Sequence, residues 1–268
     1  MNKKPSPRVL TVINSTQLTE NMQRITFKAE DLSNFDMETE GGYIKLLFNE
    51  NGGTDLSGIA EGSRPMMRTY TVRHLRQDQN ELDVDFVRHH HANTVMTAET
   101  GGFASAWAQN AVIGDTISIA GPGSIKGLTH SADWFFLVAD MTALPALSAK
   151  LEVLPSSATG YAVIEINHES DKQTLVKPQG ITVIWVIQTE ANLEESTLVQ
   201  RVRDQEWKSG QPAIWSACEF NQMRALRTYF RNEKEVDKDD IYISSYWKAG
   251  CTEDGHKVAK HEDQLADN

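Results

Sequence analysis

Cysteine is scarce in this chain. Cys218 and Cys251 are the only two among 268 residues. Two cannot build a disulfide framework, and neither a C-x-x-C pair nor a cysteine/histidine zinc spacing occurs. Positive charge is also in deficit. A net charge of −11 argues against a general nucleic-acid or anionic-membrane binder, which would carry a basic surface. Long apolar runs are missing: no segment approaches the ~20 residues of a membrane span. Met1-Asn2-Lys3-Lys4-Pro5-Ser6-Pro7 has no signal-peptide core. A soluble, cytoplasmic, monomeric protein with no nucleic-acid partner and no membrane insertion is expected. The G-x-G-x-x-G dinucleotide fingerprint is absent, as are internal repeats.

What is present is a hydrophobic content of 40%, enough for one large domain or two ordinary ones. Segments 8–13, 22–29, 43–48, 69–76, 82–88 and 116–120 are short and rich in Val, Ile, Thr, Tyr and Phe. Gly, Asn, Asp and Gln turns separate them. Six such strands predict a small antiparallel barrel or sandwich. The period then changes. Residues 134–139 form a continuous apolar run, and Leu144, Leu147, Leu151 and Leu154 follow at helical spacing. Strands at 161–166, 181–187, 213–217 and 241–245 alternate with helices at 193–203 and 221–231, the pattern of a mostly parallel sheet covered by helices. The expected domains are residues 1–125 and 133–268. The charged tail from Thr252 is a candidate terminal helix.

Arg68-Thr69-Tyr70-Thr71-Val72-Arg73 places Arg68 and Tyr70 on one face of a strand. A phenol beside a guanidinium can cover a flat ring and hold an anion, the combination that FMN and FAD require; an ordinary polar strand edge is the competing reading. Gly101-Gly102-Phe103-Ala104-Ser105 is a glycine turn feeding a helix amino end, either a phosphate cradle or a simple cap. His89-His90-His91 is not a metal site on this reading, because consecutive strand residues point to opposite faces.

Taken together, several segments resemble the siderophore-interacting protein family, FAD-dependent ferric-siderophore reductases of the ferredoxin–NADP reductase-like superfamily. They are Arg68-x-Tyr70-Thr71-x-Arg73, Asp83-Val84-Asp85-Phe86-Val87-x-His89, Gly102-x-Ala104-Ser105-x-Trp107-Ala108, Gly114-Asp115 and Gly121-Pro122-x-Ser124. In the second half, the segment from Ala139 to Ala146 looks like that family's Gly-Asp-Glu-Thr-Ala-Leu-Pro-Ala turn, and Ser245-Tyr246-Trp247-Lys248-x-Gly250 like its carboxy-terminal block. The matches keep their order over about residues 8–250. The resemblance implies a six-stranded antiparallel FAD-binding β-barrel followed by a Rossmann-like αβα domain that binds NADH or NADPH. It assigns Arg68, Tyr70 and Thr71 to the isoalloxazine, ribityl chain and phosphate. Asp85, Phe86, Val87 and His89 would border FAD; Gly102, Ala104, Ser105 and Trp107 would meet its pyrophosphate side; Trp247 would lie near the flavin.

Asp140, Thr142, Ala143, Glu219 and Arg224 are the expected nicotinamide-dinucleotide residues. Ala139 and Met141 depart from the family turn, and Glu219 stands where ferredoxin–NADP reductases have glycine. The implied activity is reduction of a ferric siderophore, with the two electrons of NAD(P)H handed on singly by FAD, so no protein general base is expected. An anionic ferric chelate needs local cations on a protein of this charge. Lys45, Lys126, Lys248, Lys257 and Lys260 are the candidates, each weighed against an ordinary solvated lysine. A second reading is an FAD electron-transfer protein fed by a ferredoxin or partner reductase.

Overall fold

The computed structural model describes residues 8–36, 39–88, 102–125, 127–128, 131–188 and 196–266. His89 and Lys126 therefore lie outside the described residues. The chain divides into two compact units, Met1–Ile125 and Lys126–Asn268.

The first unit holds strands β1 (Arg8–Thr19), β2 (Met22–Ala29), β3 (Tyr43–Phe48), β4 (Met66–Thr71), β5 (His74–Arg76), β6 (Glu81–Val87) and β7 (Thr116–Gly123), with helix α1 (Phe103–Asn110). They form one antiparallel sheet in the order β4-β3-β7-β1-β2-β6-β5. Alternate residues face the core: Leu10 and Val12, Ile25 and Phe27, Ile44 and Leu46, Leu82, Val84 and Phe86, and Ile117 and Ile119.

The sequence predicts six strands, with 69–76 as one. That run is instead split, because its hydrogen-bonding partner changes midway. The Val72 amide donates to Gly42 and its carbonyl accepts from Gly41, next to β3, whereas the Arg73 amide donates to Asp83 on β6. Those two residues connect the strands at opposite ends of the sheet order, which stays open: no ladder pairs β4 with β5 among the described residues, so the expected closed barrel is a curled seven-stranded sheet. The outer face of β6 is acidic yet buried. Arg76 grips Asp83 in a fork (2.9 and 2.8 Å), and Arg24 does the same to Asp85 (2.6 and 2.8 Å). The paired cations satisfy both carboxylates.

The second unit holds β8 (Trp134–Ala139), β9 (Thr159–Ile166), β10 (Gly180–Ile187), β11 (Pro212–Glu219) and β12 (Ile241–Trp247). These pair in parallel in the order β10-β9-β8-β11-β12. Helices α2 (Leu144–Glu152), α3 (Thr197–Arg203), α4 (Phe220–Thr228) and α5 (Glu253–Ala266) follow β8, β10, β11 and β12. All six residues of β8 are buried, as the central strand of a covered parallel sheet requires. From β8 the chain winds outward through β9 and β10, then returns to the other side of β8 with β11. The carboxyl ends of β8 and β11 thus flank a topological switch point, where open α/β sheets place their ligands. The charged tail forms α5. Arg227 of α4 holds Asp263 at 2.7 and 2.9 Å, His256 Nε2 lies 2.8 Å from Ser245 Oγ, and Lys260 Nζ donates to Ser244 Oγ at 2.7 Å.

Candidate functional site

Two places merit construction from their residues, one in each unit. In the barrel, Arg68 and Tyr70 are half-buried on β4 while Thr69 between them is exposed. The Tyr70 ring rests on Phe86 with centroids 4.4 Å apart and a tilt of 39°. Phe86 is wholly buried and is backed by Trp107 at 6.2 Å. Trp107 itself stacks on Phe27 at 6.1 Å and meets the edge of Phe48. Phe86 is therefore the support of Tyr70, and the half-buried Trp107 backs Phe86. Thr71 is buried opposite Tyr43.

Helix α1 begins beside Arg68. Its cap, Gly102, takes φ = 83°, a conformation open to glycine. Among the described residues, no side chain caps this helix end. The Arg68 guanidinium lies 5.5 Å over the ring of Phe103, the helix's first residue. Phe103 in turn leans on Gly52, where a Cβ would come within 2.6 Å of its ring. Ser105 Oγ donates to the Val87 carbonyl at 2.8 Å, pinning α1 to β6, and Ala104 is buried beneath. The Asp85 carboxylate is taken up by Arg24. The sequence reasoning missed Phe103 as the platform for Arg68 and Arg24 as the partner of Asp85. Only strand register, not spacing, could have found the second.

A half-exposed phenol on a rigid aromatic base, a cation, and a helix amino end with no side-chain cap suit a planar ring linked to phosphates. The residues present fit FAD.

In the second unit, the carboxyl edge of the sheet is acidic. Asp140 follows β8 and is buried. Its Oδ1 accepts from the Thr142 amide (2.9 Å), Thr142 Oγ1 (2.6 Å) and the Ala143 amide (3.2 Å), and its Oδ2 accepts from Trp247 Nε1 (2.6 Å). Burial pushes its carboxyl up, against these bonds. Glu219 ends β11. Its Oε2 accepts from the amides of Asn221 (2.5 Å) and Gln222 (3.3 Å), capping α4, and its Oε1 accepts from Ala249 N at 3.1 Å. Glu165 on β9 completes the group. Burial, with Asp140 and Glu219 nearby, pushes its carboxyl up to about 7 against a hydrogen bond from Gln222. The buried Cys218 thiol is pushed up as well, first by burial and then by the same carboxylates.

Of the expected dinucleotide residues, Asp140, Thr142, Ala143 and Glu219 do meet at this edge, but they bond to one another and to the chain. Arg224 points to Asp263 of α5 at 3.2 Å. Met141, a departure from the family turn, is buried with its sulfur accepting from Asn167 N. Of the candidate lysines, Lys45 lies opposite Thr69 on β3, the face away from Arg68 and Tyr70. Lys257 is paired with Glu253 and Asp254. Lys260 is half-buried against Ser244, and burial lowers its pKa. Lys248 stands 4.5 Å over the ring of Phe220. Glu165 and Gln222 went unnoticed in the sequence, where each sits in an ordinary strand or helix pattern.

An antiparallel sheet unit followed by a parallel α/β unit is the fold of the solved siderophore-interacting proteins. Residues 11–125 match the model of the siderophore-interacting FAD-binding domain, and residues 132–250 match that of the siderophore-interacting protein. The chain belongs to the siderophore-interacting protein family. It is 32% identical over 265 residues to the ferric vibriobactin reductase ViuB of Vibrio cholerae, covering 95% of this chain and 94% of that one. The siderophore-interacting protein SipS of Aeromonas hydrophila superposes with a TM-score of 0.81 at 30% identity, covering 98% of each chain. An NADPH-dependent ferric-chelate reductase of Escherichia coli is 25% identical over 253 residues, 90% of this chain and 93% of that one. Among the described residues, no helix is long and apolar enough to cross a membrane, and no group of three or more His, Cys, Asp or Glu could hold a metal ion.

Proposed function

We propose that the protein is an FAD-dependent ferric-siderophore reductase that works in the cytoplasm as a monomer and draws on NADH or NADPH. The observation that carries this reading is the barrel site. Tyr70 offers its face to a flat ring, with Phe86 and Trp107 fixing its tilt. Arg68 and the amino end of α1 at Gly102 supply positive potential for a pyrophosphate. When bound, FAD supplies the conversion of a two-electron donor into one-electron deliveries. Ferric chelates accept single electrons, and the Fe(II) product is softer and binds hard oxygen ligands less tightly, so iron leaves its chelator. The chain's own residues bind and orient. Asp140 holds the Trp247 indole by its N–H, so that ring is fixed in position. Lys248, together with Lys126, is the remaining cation pair proposed for an anionic chelate.

The names of the Vibrio cholerae and Escherichia coli relatives, a ferric vibriobactin reductase and an NADPH-dependent ferric-chelate reductase, support this substrate class and donor. The decisive experiment follows the visible flavin band of the FAD-loaded protein under anaerobic conditions. NADH or NADPH should bleach it, and a ferric siderophore should restore it with Fe(II) appearing in a trapping assay. Neutralising Lys248 and Lys126 together should raise KM for an anionic ferric siderophore; an unchanged KM removes them from the site. A second reading, delivery of electrons by a ferredoxin, is favoured by the self-satisfied helix ends at Asp140 and Glu219. Bleaching by reduced ferredoxin and by neither nicotinamide would select it.

A further inference from the structure

The amino ends of helices beside the switch point of a parallel sheet are the usual seats of a dinucleotide's phosphates, because unpaired amides and the helix dipole converge there. Here the α4 end is already filled by the chain, and the turn leading into α2 is tied from within, although no side chain caps α2 itself. The turn that opens α2 gives its Thr142 and Ala143 amides to Asp140 Oδ1, and the first turn of α4 gives its Asn221 and Gln222 amides to Glu219 Oε2. Both carboxylates are buried, Asp140 5% and Glu219 1% exposed, so solvent screens them little. A third carboxyl, Glu165, stands with them. The last polar atom of the group, Gln222 Oε1, is another acceptor, buried and without a hydrogen-bond partner among the described residues. A phosphate approaching this edge meets acceptors where it needs donors, and negative charge where it needs positive.

We propose that Glu219 and Asp140 are donor-specificity residues. With Glu219 on the α4 amino end and Asp140 in the turn before α2, the chain's own carboxylates keep the phosphates of a nicotinamide dinucleotide off the carboxyl edge and hold its affinity low. The inference rests on the reading of this unit as the one that meets NAD(P)H, and it reverses the role expected for these two residues from liganding to exclusion. The dinucleotide is then held by contacts other than these helix ends, which keeps its exchange fast and leaves room for a protein electron donor.

The sign of one substitution decides it. Binding of NADP+ and of NAD+ to the full-length, FAD-loaded protein is measured by titration calorimetry, with no turnover involved. Glu219→Ala frees the two amides and removes the charge, so NADP+ should bind about fivefold or more tightly than to wild type, the range an anion gains at a helix amino end, and with a steeper salt dependence. Glu219→Asp, which keeps the charge, should behave as wild type. Unchanged or weaker binding by Glu219→Ala overturns the proposal, since a liganding or merely structural residue would give that result. Should Glu219→Ala not fold, Glu219→Gln, which removes the charge but keeps one acceptor oxygen, should still tighten NADP+ binding, by a smaller factor. No binding of either dinucleotide by wild type or any variant also overturns it, while normal FAD uptake would leave the flavoprotein reading intact. A chain that takes up no FAD would sink that reading separately.

Discussion

In the barrel, α1 starts at Gly102 with no side-chain cap among the described residues, and the charge beside it is the Arg68 guanidinium. In the α/β unit, Glu219 closes the first turn of α4, and Asp140 ties the turn before α2, a helix that itself has no side-chain cap. The backbone physics is the same in all three: amides directed outward with a positive partial charge. What differs is the side chain that local sequence sends to them. Glycine leaves the end to an outside anion, whereas an acidic residue at the end of a strand fills it from within. The contrast teaches that the side chain local sequence sends to a helix amino end decides whether the chain itself fills it.

Several substitutions would break or sharpen that contrast. The largest effect should come from Phe86→Ala. It empties a wholly buried site under Tyr70 and should cost about 3–5 kcal/mol in urea unfolding, with FAD binding lost in parallel. Arg68→Ala should leave folding nearly unchanged but weaken FAD on the order of 100-fold, as loss of a charged partner to a phosphate does; flavin fluorescence titration reads this directly. A loss below about threefold would mean the α1 end is not a phosphate seat.

At the closed edge, the test is pH. Glu165 titrates near 7 in the folded protein against 4.5 for an ordinary glutamate, so the folded state binds its proton more tightly. Its stabilising contribution is fully present below about pH 4.5 and is lost as the pH rises through about 7. Glu165→Gln should abolish that slope and gain on wild type by at most about 3 kcal/mol above pH 7. A parallel stability profile for the two proteins would deny the acidic cluster any energetic meaning. Smaller still, Arg227→Ala removes a fork to Asp263 and should cost about 1–2 kcal/mol, seen as earlier proteolysis of α5. The smallest effect belongs to Lys257→Ala, whose charge Glu253 and Asp254 already balance. KM for an anionic ferric siderophore should change less than about twofold.

Much of the fold was legible because periodicity reports burial. The alternation of Leu82, Val84 and Phe86 reads directly as the inner face of β6, and the apolar run 134–139 as the central strand of a covered sheet. The order of segments and the Arg68–Tyr70 pair pointed to a flavin barrel before any coordinate. The break in 69–76 was not legible, since no residue in it is a turn former; the chain changes its hydrogen-bonding partners there, from Gly41 and Gly42 to Asp83. The full burial of Phe86 beneath Tyr70 was not legible for a related reason. A motif says that residues travel together without saying which face the ligand and which carry the ones that do.

The sequence by itself determined the two-part architecture, the strand and helix periods and the family, because these depend on local pattern and order. Only the tertiary structure decided where the charges went. Asp140 reaches Trp247 across 107 positions of sequence, and Asp263 on the tail takes Arg224 and Arg227. Glu165, Asp140 and Glu219 share one edge because parallel strands place their carboxyl ends side by side. Electrostatic energy depends on distance in space and on burial, and neither quantity is written in the spacing of residues along a chain.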